Sequence, residues 1–302
     1  MFIIKHRIVF YVISIALIVA SVIVLSVWRL HPGIDFRGGS IIEVEYQSRP
    51  TVDAMKATLD GLKLGAYSIR ETGEAGYIIR TDELTPAAHD GVLSALSDGG
   101  KTVLTEKRFN SIGPVLGKEA LEKSWMSIVL VLLAIILFIT FAFRKVSKPV
   151  SSWKYGVIAI IALAHDVIIP AGVFSVLGRF AGYEIDTLFV TALLVILGFS
   201  IHDTIVVFDR IRENLRRNVE YHEKKEFPTI VGESINQTFV RSINTSLTTL
   251  LAVAALYIWG PDATEHFSLA LLIGIVAGTY SSIFIGSPLL VTLYKWQEKR
   301  GK

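Results

Sequence analysis

Six apolar runs of membrane-crossing length constrain this chain more than any other feature of its sequence. They lie near residues 8–28, 124–143, 155–178, 186–208, 239–259 and 266–294. At about 1.5 Å of rise per residue, each run can cross a hydrocarbon core of about 30 Å as an α-helix. The chain is 52% hydrophobic over 302 residues, which is too apolar for a soluble enzyme. We therefore expect a polytopic α-helical membrane protein with six transmembrane helices.

The first apolar run is predicted to be an uncleaved membrane anchor. It follows a basic start at Lys5 and Arg7 and ends at Trp28, so it is longer than the apolar core of a secretory signal. The resulting organisation is a first helix at 1–30, a polar domain at 31–123 and a five-helix membrane region at 124–302. The chain has no cysteines, which excludes disulfides and thiolate metal sites.

Basic residues predict how the helices cross the membrane, because loops rich in Lys and Arg stay in the cytoplasm. They concentrate at both termini and in two loops, and the loop residues are Arg144, Lys145, Lys148, Lys154, Arg210, Arg212, Arg216, Arg217, Lys224 and Lys225. The two short loops on the other side contain Arg179 as their only basic residue. Both termini are therefore predicted to be cytoplasmic, and the domain at 31–123 extracytoplasmic.

The polar domain shows a regular order of strand and helix patterns. Alternating residues predict strands at 40–46, 66–71, 76–81 and 101–109, and capped helical patterns predict helices at 51–62 and 85–98. The order β-α-β-β-α-β is that of a small α+β ferredoxin-like domain. This fold carries many functions, so it does not identify one here.

Ionisable residues inside the apolar runs are the first candidate functional residues. Asp203 in the fourth run and Arg241 in the fifth lie about 25 Å and 27 Å from the outer ends of their helices, so we expect them at the same depth. Asp166 in the third run is predicted to lie nearer the midplane. Asp203 and Arg241 form either a static buried ion pair, which stabilises poorly once desolvation is counted, or a proton- or ion-coupling site.

A His-Asp dipeptide occurs in two of these runs, as His165-Asp166 and His202-Asp203. Neighbouring side chains on a helix point about 100° apart, so one helix does not direct both at a single metal ion. We expect no metal or other cofactor. Each histidine is either a hydrogen-bonded packing residue or a proton relay.

Two further motifs have a structural and a functional interpretation. Asp209 lies at the cytoplasmic end of the fourth run, where it is either a solvated helix-end charge or a secondary coupling residue. The stretch GIDFRGGS follows the first run, and its Gly33, Asp35, Gly38 and Gly39 favour a tight turn into the first strand. The sequence shows no phosphate-binding loop, catalytic triad or nucleic-acid patch, so we expect a protein that is not an enzyme.

Several of these segments resemble the SecF family of the Sec protein-export machinery. GIDFRGGS (33–40) is similar to the family motif after the first span, and LAHDV (163–167) to its third-span motif. GFSIHDTIVVFDRIREN (198–214) resembles the fourth-span motif nearly residue for residue, although the family usually has Asn at the position of His202. SIGPVLGKE (111–119) and INQTFVRSINTSLTTL (235–250) are also similar to family segments.

This resemblance implies a member of the resistance–nodulation–division superfamily in the plasma membrane of a prokaryote. It implies a heterodimer with a SecD-type subunit, association with the SecYEG channel and with exported preproteins, and use of the proton-motive force to promote their export. By motif position, Asp203 is the protonatable carboxylate, Arg241 its partner and Asp209 a secondary charge. Two alternatives remain open: a proton-coupled half-transporter for small molecules or lipids, and a non-transport membrane assembly scaffold.

Overall fold

Long apolar helices form at all six predicted spans. The computed structural model describes residues 2–62, 64–143 and 150–300, and the predicted loop residues Arg144, Lys145 and Lys148 lie outside that description. Within it, the helices long and apolar enough to cross a membrane are Arg7–Trp28, Pro114–Ala142, Trp153–Ala181, Thr187–Glu220, Phe227–Trp259 and Asp262–Lys299. The predicted class, a polytopic helical membrane protein with a small antiparallel sheet, is confirmed.

The described parts of the chain contain eleven α-helices and four strands. The helices are α1 Phe2–Lys5, α2 Arg7–Trp28, α3 Ile34–Arg37, α4 Val52–Asp60, α5 Pro86–Leu96, α6 Pro114–Ala142, α7 Ser152–Ala181, α8 Thr187–Glu220, α9 Phe227–Trp259, α10 Glu265–Ser281 and α11 Ser287–Arg300. The strands are β1 Gly39–Tyr46, β2 Tyr67–Thr72, β3 Gly76–Thr81 and β4 Leu104–Ile112. Several helices extend beyond their apolar runs, because charged residues continue the helical pattern where solvent replaces lipid.

The last predicted span is interrupted. A π-helical segment, Ser282–Gly286, separates α10 from α11. Pro288 in the first turn of α11 lacks an N–H, so it cannot bond the carbonyl four residues earlier, and its ring displaces that carbonyl. The side chain of Ser282 also donates to the carbonyl oxygen of Gly278 at 2.7 Å. π-Helical segments of this kind occur frequently at functional sites.

The chain divides into two compact units, one of residues 1–31 and 126–302 and one of residues 32–125. The second unit contains the predicted β-α-β-β-α-β order. Its four-stranded sheet has the order β2-β3-β1-β4, and every neighbouring pair is antiparallel. Helix α4 begins after Thr51 and α5 after Thr85, and each threonine accepts a hydrogen bond from the backbone three residues on, as an N-cap residue does.

One face of this sheet forms the core of the second unit. Alternate residues of β1 and β3 point toward the two helices, because successive strand residues point to opposite faces. Ile42, Val44, Tyr77 and Ile79 are fully buried against Leu59 and against residues of α5. The predicted strand ends were within three residues of those observed, with the largest difference at β4.

In the membrane unit, α7, α8 and α10 carry most of the buried surface. Close approach of α8 and α10 depends on small residues: a β-carbon at Gly274 would lie 2.1 Å from Cδ1 of Ile196. Close packing at small residues is a usual way for membrane helices to associate. In contrast, α2, α6 and α9 expose most of their apolar windows, so these helices are available to lipid or to another protein.

Candidate intramembrane polar site

Asp203 lies on the buried face of α8. That helix begins at Asp186, whose carboxylate accepts a hydrogen bond of 2.8 Å from the backbone N–H of Phe189. Ser200, Asp203, Thr204 and Val207 follow at helical spacing and are all buried. Asp203 is 3% exposed. The local helical period therefore directs this carboxylate into the bundle rather than toward lipid.

The carboxylate of Asp203 faces hydroxyl groups of α9. Ser242 and Ser246 lie beside it, and both are buried. Even so, Oδ2 of Asp203 and Oγ of Ser242 are buried without a hydrogen-bond partner in the described part of the chain. A buried oxygen without a partner is costly at membrane depth, because no bulk water is available to satisfy it. This arrangement fits a carboxylate that binds a proton, or that contacts water or another protein.

Arg241 does not form the predicted ion pair with Asp203 within the described residues. No nitrogen of the Arg241 guanidinium lies within 4.0 Å of a carboxylate oxygen of Asp203. The reason is rotation about the helix axis: Ser242 takes the inward position on α9, and its neighbour Arg241 points outward, about 100° away. Arg241 is exposed on the surface of the chain. The shared depth predicted for the two residues is therefore not sufficient to pair them.

His202 and Asp209 are also exposed on α8. His202 makes no hydrogen bond among the described residues. Asp209 forms an ion pair with Arg212, one turn further along the same helix. Arg210 and Arg217 both pair with Glu213, so this end of α8 carries a local network of opposite charges. Such a network is typical of a solvated helix end, and a coupling role for Asp209 stays a prediction.

His165 and Asp166 form a second polar cluster, which is completely buried. His165 Nδ1 lies 2.8 Å from Asp166 Oδ1, although the two residues are neighbours on α7. The other carboxylate oxygen, Oδ2, accepts hydrogen bonds from Ser281 Oγ at 2.7 Å and from Ser200 Oγ. Asp166 therefore joins three helices, α7, α8 and α10.

Sequence reasoning did not identify Ser200 and Ser281 as partners of Asp166. Ser200 precedes Asp203 by three residues, so the helical period places it on the same face of α8; that spacing was the available signal. Ser281 had no comparable signal, because its position depends on how α10 packs against α7. Among the described residues, no group of three or more His, Asp or Glu side chains is placed to hold a metal ion.

The glycine motif forms the turn between α3 and β1. Gly33 precedes α3, and Asp35 lies in its first turn. Gly38 and Gly39 have φ angles of +82° and +122°, which L-residues with side chains rarely adopt. A β-carbon at Gly38 would also lie 2.7 Å from Cα of Pro114. The motif thus has the geometry of a structural turn, and the packing of Pro114 explains why a side chain is not accommodated.

Comparisons with known proteins give one consistent result. The family model for the C-terminal part of the protein export membrane proteins SecD/SecF matches residues 93–296, and the SecD/SecF GG motif matches residues 29–48. The chain is 41% identical to the protein translocase subunit SecF of Thermobaculum terrenum, over 98% of this chain and 94% of that protein. It is 38% identical to the protein translocase subunit SecF of Anaerolinea thermophila, over 96% and 92% of the two chains.

Solved structures show the same likeness. The crystal structure of SecDF from Thermus thermophilus, a translocon-associated membrane protein, superposes with a TM-score of 0.82 at 30% identity. It covers 98% of this chain, whereas this chain covers 38% of that one. A second SecDF structure, in a super-membrane-facing form, gives a TM-score of 0.67 at 30% identity. This chain thus spans a little over a third of the length of the SecDF polypeptide that it resembles.

Proposed function

Because this chain belongs to the SecD/SecF family of protein-export membrane proteins, we propose that it is a SecF-type subunit of the Sec translocation machinery. Together with a SecD-type subunit it uses the proton-motive force to promote export of unfolded preproteins through the SecYEG channel. It lies in the plasma membrane with both termini in the cytoplasm. Its role is mechanical coupling, and we assign it no catalysed reaction and no cofactor.

One observation carries this proposal: a buried carboxylate with an unsatisfied oxygen within a membrane-crossing helix. Placing an ionised Asp at the centre of such a helix costs about 2.5–3.5 kcal/mol on insertion scales. Asp203 pays this cost without a compensating ion pair among the described residues, which argues against a purely stabilising role. A carboxylate that alternately binds and releases a proton accounts for its position.

The energy for movement comes from the proton. Each elementary charge that crosses the membrane releases about 2.3 kcal/mol per 100 mV. When Asp203 is ionised it attracts hydroxyl protons of Ser242 and Ser246 on α9; when it is protonated these contacts change. This difference biases two arrangements of α8 against α9.

The polar groups exposed on α8 and α9 favour contact with a partner subunit. Arg241 and His202 project from apolar helices, and a guanidinium facing lipid at this depth is costly. A second helical subunit supplies the acceptor for Arg241. We propose that this second subunit is of the SecD type. The solved structure that resembles this chain is of SecDF, a longer polypeptide of which this chain covers 38%.

The test is proton-driven export by single and double variants. Asp203→Asn keeps the shape of the side chain but cannot ionise, so we expect normal assembly with loss of proton-stimulated export in inverted or reconstituted vesicles. Arg241→Met should also abolish it, and Arg241→Lys should retain only part, because Lys lacks the bidentate guanidinium. Glu220→Gln, at the exposed end of α8, serves as the matched control and should export normally.

The double variant distinguishes coupling from a structural role. If Asp203 and Arg241 have only structural roles, any variant that assembles should export, so Asp203→Asn combined with Arg241→Met should be active wherever it assembles. Coupling predicts a double variant that assembles and remains inactive. An active double variant would overturn the proposed function and favour an assembly scaffold.

A further inference from the structure

The cluster around Asp166 has features that a static anchor does not need. Asp166 is 0% exposed and His165 is 1% exposed. The ring of His165 stacks on Tyr280 at a centroid distance of 6.0 Å. Its Nδ1 contacts Asp166, whereas its Nε2 is buried with no hydrogen-bond partner in the described residues. One nitrogen of this pair is therefore left unsatisfied in the core of the membrane unit.

The charges that face this pair are few. Helix α8 supplies Ser200 and, one turn away, Asp203, and α10 supplies Tyr280 and Ser281. Among the described residues, no Lys or Arg forms an ion pair with Asp166. Among the residues that the structure describes, His165 is thus the neighbouring group that can neutralise an ionised Asp166, and the protons carried by the two residues decide the net charge of the cluster.

Helices α8 and α10 contribute to the surroundings of both Asp166 and Asp203. On α8, Ser200 donates to Asp166 and lies on the buried face that also carries Asp203. On α10, Ser281 donates to Asp166. Two residues earlier, Thr279 donates to Ser246 at 2.6 Å, and Ser246 lies beside Asp203. A shift of α8 against α10 therefore changes the surroundings of both carboxylates.

We propose that the His165–Asp166 pair is a second proton-binding site of this protein, coupled to Asp203 through α8 and α10. Its use in export rests on the proposed function. Binding adds one proton and one positive charge to the pair and breaks no covalent bond; the proton comes from the aqueous phase and returns to it when the site resets. An ionised Asp166 accepts from both serines at Oδ2. We place the added proton on Oδ2, which then donates one hydrogen bond and no longer accepts from both hydroxyls, so one serine must turn away.

This change reaches the interrupted helix directly. Ser281 is the last residue of α10 and precedes the π-helical segment Ser282–Gly286. Short π-helical segments inside α-helices are rare and occur frequently at functional sites, so this segment is the element that we expect a small input to rearrange. Release of Ser281 by a protonated Asp166 is such an input. The proposal thus assigns a physical consequence to proton binding as well as a location.

Infrared difference spectroscopy of the reconstituted complex of this chain with its SecD-type subunit tests the proposal without measuring export. A pH step should produce carbonyl bands of protonated carboxyl groups. We expect Asp166→Asn to remove one band and Asp203→Asn to remove another, and Glu220→Gln to leave both. Ser281→Ala should shift the Asp166 band, because it removes one hydrogen bond to that carboxyl.

Coupling has its own readout. Asp203→Asn should lower the pH midpoint of the Asp166 band, because it removes a neighbouring negative charge that favours the protonated form of Asp166. If Asp166→Asn assembles and leaves every band unchanged, Asp166 is ionised throughout and is only an anchor, and the proposal fails. If that variant does not assemble, the absence of any shift of the bands in Ser281→Ala and in His165→Gln would overturn the proposal instead.

The two proposals fail in different ways. If the Asp166 band is missing but proton-driven export still depends on Asp203, the second proton-binding site is wrong and the proposed function stands. If both bands are present but export does not respond to protons, the proposed function is wrong and the second proton-binding site stands. The spectroscopic and export measurements on the same variants therefore separate them.

Discussion

At the scale of single residues, the burial of Tyr46 in the second unit predicts a raised pKa for its hydroxyl. Its side chain is 3% exposed, and its hydroxyl lies against Met55 and the carbonyl of Leu96. Burial raises the pKa of Tyr46 to about 12, and the nearby Tyr77 contributes in the same direction. The neutral phenol therefore stabilises the folded state at pH below about 10, the value of a free tyrosine, and this contribution is lost as pH rises through 12.

The prediction is that Tyr46 titrates about two pH units above a free phenol. The difference in tyrosinate absorbance between the unchanged protein and Tyr46→Phe isolates this group. The difference signal should develop near pH 12. A signal that develops near pH 10 instead would show that the hydroxyl is in contact with solvent.

A second residue-scale prediction concerns the glycine motif. Gly39 has a φ of +122°, and an added β-carbon would lie 2.7 Å from the carbonyl oxygen of Thr81. We expect Gly39→Ala to destabilise the sheet by about 1–3 kcal/mol, because strain and a backbone clash add together. Faster hydrogen exchange in β1 and β3 is the measurement.

The matched control is Gly91, which lies in α5 with nothing within 4 Å of an added β-carbon. Gly91→Ala should be neutral or stabilising by up to about 1 kcal/mol, since alanine favours the helix. Equal effects of the two substitutions would mean that the turn geometry at Gly39 does not matter.

At the scale of helices, small residues determine how closely α8 and α10 approach. An alanine at Gly274 would overlap Ile196, with its β-carbon 2.1 Å from Cδ1 and 3.0 Å from Cγ2. We expect Gly274→Ala to lower stability by about 1–3 kcal/mol, the usual cost of overpacking. Thermal unfolding of the detergent-solubilised protein measures it.

Gly198 on α8 provides the control for this helix pair. Nothing lies within 4 Å of a β-carbon added there, so Gly198→Ala should leave the unfolding temperature unchanged or raise it slightly. If both variants unfold at the same temperature as the unchanged protein, the helices separate easily and close packing at Gly274 contributes little.

At the scale of the whole molecule, the distribution of basic residues predicts the orientation in the membrane. The chain has no cysteines, so single cysteines can be introduced and labelled with an impermeant maleimide. Ala75→Cys should react from outside intact cells, because it lies in the domain predicted to be extracytoplasmic. His222→Cys, between α8 and α9, should react only after permeabilisation. Labelling of position 222 from outside would contradict the predicted topology.

The exposed polar groups of α9 predict where a partner subunit binds. Asn244 lies one turn from Arg241 and is exposed, so Asn244→Cys should form a cross-link to a SecD-type subunit in membranes. Position 126 on α6 is the comparison: Met126 is exposed, and residues 124–142 of that helix contain no charged side chain. Equal cross-linking from both positions would show that contact is not specific to α9.

Local sequence patterns determined the elements of this protein. Hydrophobic length predicted the six spans and period-two alternation predicted the strands, because both arise from how a single segment meets its solvent. Asp203 could be predicted as a candidate site residue in the same way, because the desolvation cost of an intramembrane carboxylate depends on its own segment. The order of elements in the second unit could also be predicted, since each cap and turn signal acts within a few residues.

Contacts between helices were decided by the tertiary structure. Equal depth predicted that Asp203 meets Arg241, but rotation of α9 about its axis directs Ser242 inward and leaves Arg241 outside. The two serines that bind Asp166 come from α8 and α10, at sequence separations of 34 and 115 residues. The physical reason is that depth follows from counting residues along one helix, whereas side-chain pairing depends on the rotation and packing of several helices together.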